Sequence, residues 1–119
     1  MYKVITYSTE SGGTPLKDFI EKVLKKKHKT KDIEEIKTYI NMLGEFGFQM
    51  NQKYRSNSIM LVVGDIYELR PGGNRVMFFH FSKDGKFVLL HGFEKTTQKT
   101  PPKEKERARN ERDDYIRRN

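Results

Sequence analysis

The hydrophobic period of this chain changes twice along its length, and those changes limit the folds open to it more than any other feature. Leu16, Phe19, Ile20, Val23 and Leu24 recur at the spacing of one helical face, and Ile33, Ile36, Ile40 and Leu43 repeat the pattern. From Ser58 to Phe93 the period shortens to β-rich runs separated by turn residues. Beyond Pro101 and Pro102 apolar residues nearly vanish until Tyr115 and Ile116.

Each segment carries its own punctuation. Thr14 is placed to cap a helix and Pro15 suits its first position, so a first helix is expected over about 15–28. Asp32 sits near the start of a second helix, and Gly44 and Gly47 offer its stop. Met1 to Ser8 alternates in polarity as a strand does, with a charge at Lys3 where a signal peptide would be apolar. Ile59–Leu69, Arg75–Phe81 and Phe87–Phe93 read as three strands. Pro71-Gly-Gly-Asn74 and Lys83-Asp-Gly-Lys86 supply their turns, which predicts an antiparallel meander.

The predicted fold class is therefore α+β. An antiparallel meander is joined by an N-terminal strand, and two helices pack on one sheet face because each has a single apolar stripe to bury. A charged helix follows over 101–119, with Glu104 and Glu106 in its first turns and Ala108 and Tyr115 available to pack on the body or on a partner. At 119 residues the chain suits one domain, with 1–100 as its body and 101–119 as a tail of the same unit.

Composition removes several functions. With no cysteine, disulfides, thiolate metal sites and a cysteine nucleophile are excluded, and a reducing cytoplasm fits. The longest apolar run, Ile59 to Val63, falls far short of a membrane span. The histidines and acids lack metal-ligand spacing, and Gly72-Gly73 joins two strands rather than a strand and a helix, so neither metal nor cofactor is expected. The net charge of +8 favours a polyanionic partner, nucleic acid or ribosome first.

Strand alternation says where that charge collects. If Leu69, Val76, Phe78, Val88 and Leu90 face the helices, then Glu68, Arg70, Arg75, Phe79, His91, Phe93 and Lys95 face away from them. That second face is basic and aromatic. Phe79 and Phe93 can stack an unpaired base while cations hold its phosphates. Metal-independent RNA cleavage by the 2′-OH needs proton transfer and cations for the developing charge, and His91 is the candidate for the former. Lys25, Lys26 and Lys27 at the end of the first helix form a further RNA-docking patch.

The residues Tyr67-Glu-Leu-Arg70, Asn74-Arg-Val-Met-Phe-Phe79 and the run from Leu89 to Pro101 resemble the HigB-like, phage-related branch of the RelE/ParE toxin superfamily. The run from His91 to Pro101 is the most specific part. That resemblance implies a RelE-like fold, a ribosome-dependent mRNA endonuclease, and neutralisation by a helix-turn-helix antitoxin in a toxin–antitoxin heterotetramer. It places Arg70 and Arg75 as phosphate and transition-state ligands and Lys95 as a cation near the leaving group; separately from the resemblance, Glu68 on the same face and Lys99 further along the chain are expected beside the RNA. Ile66 and Glu68 stand where RelE carries lysines. Two rivals remain open at this level: a ParE-like inhibitor of DNA gyrase, and a non-catalytic RNA- or protein-binding module.

Overall fold

The alternating segment folds as a meander of four antiparallel strands rather than three. Gly64 and Asp65 turn the chain inside the run expected to be one strand, because Gly64 adopts a positive φ of 56° that suits a two-residue hairpin. The computed structural model, which describes residues 1–119, thus contains β2 Ile59–Val63, β3 Ile66–Leu69, β4 Asn74–Phe81 and β5 Lys86–Glu94. An N-terminal strand, β1 Lys3–Thr6, pairs parallel to β5. The mixed sheet has the order β1-β5-β4-β3-β2.

Between β1 and β2 lie α1 Pro15–Phe19, α2 Thr30–Phe46 and the short α3 Met50–Lys53. The first predicted helix is broken up: α1 widens into a π turn over Ile20–Leu24, and the chain leaves it through His28 at φ 56°. In α2 the buried residues are Ile33, Ile36, Tyr39 and Leu43, the stripe that faces the sheet. Gly47 ends it at φ 56°, and a Cβ there would lie 2.7 Å from the Tyr2 ring.

The opposite sheet face is not open, contrary to the expectation from strand alternation. The final helix, α4 Pro102–Arg118, lies across it and buries Ala108, Glu111 and Tyr115 at helical spacing. The sheet therefore separates two cores. Leu16, Phe19, Ile36 and Leu43 meet Leu69, Val76, Phe78, Phe87 and Leu89 on one side. Tyr7, Ile66, Met77, Phe79, Phe81, Val88, Leu90, Ala108 and Tyr115 fill the other.

The strand β5 corrects a second expectation. Val88 and Leu90 face α4, whereas Phe87 and Leu89 face α1 and α2. Val76 pairs with Gly92 but Phe78 pairs with Leu89, so one extra residue of β5 bulges opposite Met77. Leu90 and His91 consequently point to the same side. After the bulge the phase agrees with simple alternation again, with Phe93 on the α4 side. No helix is long and apolar enough to cross a membrane.

Candidate active site

At the end of the sheet where α4 begins, three adjacent elements bring charged side chains together. Arg70 follows β3, Arg75 lies on β4, and both converge on Glu68 of β3. Glu68 Oε2 is 3.5 Å from Arg70 Nε and 3.6 Å from Arg75 Nε, while Glu68 Oε1 accepts a 2.7 Å hydrogen bond from Thr100 Oγ1. Glu68 is only 2% and Arg75 5% exposed. One carboxylate thus faces two guanidiniums, and the cluster keeps a net positive charge.

The arginines are held differently. Arg75 Nη1 donates to the carbonyls of Gly72 and Asn74 at 2.9 and 2.8 Å, so the Pro71–Asn74 turn fixes its plane. Burial pushes the Arg75 guanidinium below its ordinary value, the Arg70 charge adds to that, and Glu68 opposes both. Arg70 Nε is buried without a hydrogen-bond partner. Its nearest charged neighbour is the Glu68 carboxylate, which it faces at 3.5 Å without hydrogen-bond geometry. Beside this pair, Arg75, Phe93 and the loop from Lys95 to Pro101 line a small groove. Lys95 and Lys99 are exposed on that loop, and Phe93 is half-buried at its base.

His91 belongs to a different environment. It has no exposed area, its Nδ1 lies 2.6 Å from Glu111 Oε1, and its Nε2 lies 2.9 Å from Glu104 Oε1. Arg107 Nε completes the seam by donating to Glu111 Oε2 at 3.2 Å. Each ring nitrogen therefore faces a carboxylate oxygen of α4. An imidazole sealed under α4 between two carboxylates does not reach a substrate, so the surface proton-transfer role expected for it is corrected to a structural one. Phe79 is corrected likewise: it is buried against Tyr115, with ring centroids 5.9 Å apart, and offers no face to a base. Glu68 is a buried organiser of the arginines rather than an RNA contact.

The lysine patch lies elsewhere. Lys25, Lys26 and Lys27 are exposed on the helix side of the sheet, and Lys27 pairs with Glu94 at 2.6 Å. Lys29 takes the other Glu94 oxygen at 2.6 Å, and these two hydrogen bonds hold that carboxyl below its usual range. No group of three His, Cys, Asp or Glu side chains is arranged to hold a metal ion.

Sequence reasoning missed Thr100, Glu104 and Glu111. A signal for the last two existed, because Glu104, Ala108, Glu111 and Tyr115 share one helical face at 4-3-4 spacing. The charges on two of them concealed a buried stripe.

None of the curated proteins compared with this sequence matches it. A family model does match, over residues 22–113, and its family is described as phage-derived protein Gp49-like (DUF891). The match spans α2, the whole meander, the arginine cluster and most of α4. The α+β architecture is compatible with the RelE-like fold that the resemblance implied. This chain therefore belongs to the phage-derived Gp49-like family, a toxin-like family of the RelE/HigB kind.

Proposed function

We propose that this protein is the toxin of a type II toxin–antitoxin pair and acts as a HigB-like, ribosome-dependent mRNA endonuclease. The observation that carries this reading is the convergence of Arg70 and Arg75 on a single buried carboxylate beside an exposed lysine loop. Two guanidiniums sharing one carboxylate leave a positive site that a phosphate completes. A pair kept merely for stability would sit better with equal charges, since buried ion pairs contribute little net stability.

In the proposed reaction the 2′-oxygen of one nucleotide attacks the adjacent phosphorus. The bond to the 5′-oxygen of the next nucleotide breaks, and the proton given up by the 2′-hydroxyl to solvent water is matched by one that the 5′-oxygen takes from water, leaving a 2′,3′-cyclic phosphate and a 5′-hydroxyl. Arg75, fixed by two carbonyls, and Arg70, held beside it on Glu68, stabilise charge growing on the non-bridging oxygens. Lys95, on the loop beside them, serves as the cation near the departing 5′-oxygen, with Phe93 and Lys99 alongside the RNA. His91 takes no part, so catalysis rests on positioning and electrostatics rather than on an imidazole base. Lys25 and Lys26, exposed and without carboxylate partners, extend the basic surface toward ribosomal RNA. A helix-turn-helix antitoxin neutralises the protein in a heterotetramer.

Primer extension on mRNA from cells expressing the protein tests this. Wild type should produce new 5′ ends within translated frames and arrest growth, and Arg75→Ala should do neither while remaining folded. Intact mRNA together with gyrase inhibition in a supercoiling assay would replace this reading with the ParE-like one.

A further inference from the structure

A second groove adjoins the arginine cluster at the edge of the sheet. The edge strand β2 holds the longest apolar run in the chain. Exposed edges are ordinarily protected by charge or proline, yet here Met60 is 45% and Leu61 56% exposed. Met60 and Val62 lie on the Glu68 face of the sheet and, with Glu68, Gln98, Lys99, Thr100 and Lys105, line a groove of about 190 Å³, whereas Leu61 pairs opposite Tyr67 and turns its side chain to the other face. Gln98, Lys99 and Thr100 also line the groove at Arg75, so the two are contiguous.

Charge and backbone geometry indicate what fits. Arg107, Arg112, Arg117 and Arg118 of α4 are each paired with a carboxylate, whereas Lys99 and Lys105 have none. An apolar floor between free ammonium groups, continuous with two arginines, matches a nucleotide: a flat base with a phosphate on either side. Addition of a partner's β-strand is a poorer match. Asn51 already occupies both the N–H and the carbonyl of Ile59, and a bulge between Leu61 and Val63 interrupts the ladder beyond. Few edge groups remain for a strand.

We propose that this groove is a nucleotide subsite, in which Met60 and Val62 pack on the face of an RNA base next to the scissile phosphate while Lys99 and Lys105 hold its flanking phosphates. The inference rests on the nuclease reading for the words "next to the scissile phosphate", but base binding itself does not require cleavage.

The test uses the full chain and two probes: a 2′-O-methylated adenosine tetranucleotide, which lacks the attacking hydroxyl, and its abasic counterpart of equal charge. NMR titration should show the base-containing probe shifting the Met60 and Val62 methyl signals and binding more tightly than the abasic one. Met60→Ser, at an exposed position, should weaken it about tenfold and erase that advantage, whereas Leu61→Ser on the other sheet face should leave it unchanged. Lys99→Ala and Lys105→Ala should weaken both probes alike and flatten the salt dependence. Equal affinity for the two probes overturns the subsite. So does a concentration-dependent dimer that buries the same methyl groups without RNA, which would make a second copy the occupant. Methyl shifts with wild type that leaves translated mRNA uncut would remove the nuclease reading and keep the subsite. Cleavage without methyl shifts would remove the subsite alone.

Discussion

Replacing His91 with alanine separates a structural imidazole from a catalytic one. The ring has no exposed area and lies 2.6 and 2.9 Å from two carboxylates of α4. Its removal leaves Glu104 and Glu111 facing an empty space against the sheet. Losing one partner of a buried pair costs about 3–5 kcal/mol. The lower end applies, because Glu111 keeps Arg107 at 3.2 Å and Glu104 is partly exposed. A loss of about 3 kcal/mol in a chain this long lowers Tm by about 10 °C. Thermal melting and urea titration should both show it, with Glu111→Ala in the His91→Ala background adding much less than it does alone. At a temperature where the variant is folded, it should still cleave mRNA on ribosomes. A variant that melts within about 2 °C of wild type yet cuts nothing would refute the reasoning, since a ring without structural weight would then be acting on substrate.

Other perturbations reach other parts of the same arrangement. Glu68→Gln should cost about 3 kcal/mol in urea unfolding, by leaving two buried guanidiniums without a carboxylate, and in steady-state cleavage it should lower kcat while changing KM little. Gly92→Ala should cost about 1–3 kcal/mol by thermal melting, because the new Cβ would lie 2.6 Å from Phe19 Cδ2. Burial, with help from the hydrogen bond to Asp114, pushes the Tyr7 hydroxyl up to about 12 from 10.0. A folded value above the unfolded one stabilises below pH 10 and is lost as pH rises toward 12, so Tyr7→Phe should flatten the fall of the urea midpoint across that window. Replacing His91, Glu104 and Glu111 together by leucine should leave the melting temperature equal or higher, while hydrogen exchange at residues 95–101 quickens and cleavage falls.

Much of this fold is legible in the sequence because most of its patterns run without interruption. On β3 and β4 the alternation of Ile66, Glu68, Leu69, Val76 and Phe78 gives the observed faces, and that alternation alone suffices to put Arg70 and Arg75 on one side of the sheet. On β5 the same reasoning fails at the bulge, which inverts the phase of Val88 to Leu90 relative to His91 and Phe93. Gly92 is the mark of it, since a lone glycine in a strand often signals a bulge or a close approach, and here it sits beside one and against Phe19. The Gly64-Asp65 turn is hidden inside an apolar pattern that reads straight through it. The cover supplied by α4 is concealed for a physical reason: half of its inward stripe is glutamate, and a carboxylate reads as exposed unless its buried partner on another element is known.

The polar seam under α4 is better explained by placement than by stability. Ala108 and Tyr115 are the helix's buried apolar anchors, and two anchors alone would permit α4 to slide or rotate on a flat β surface. Because His91 has one nitrogen for Glu104 and the other for Glu111, a shift of even one residue would strand a carboxylate against the sheet. The penalty for misplacement is what fixes the register. That register matters at the helix start: Pro101 precedes α4 directly, and Thr100 before it reaches Glu68 at 2.7 Å. The imidazole therefore bears on the arginines through the helix and the 95–101 loop, without touching whatever they bind. A buried charged seam costs stability relative to a dry one, and its presence here is consistent with a site whose geometry, rather than its folding energy, is what these residues serve.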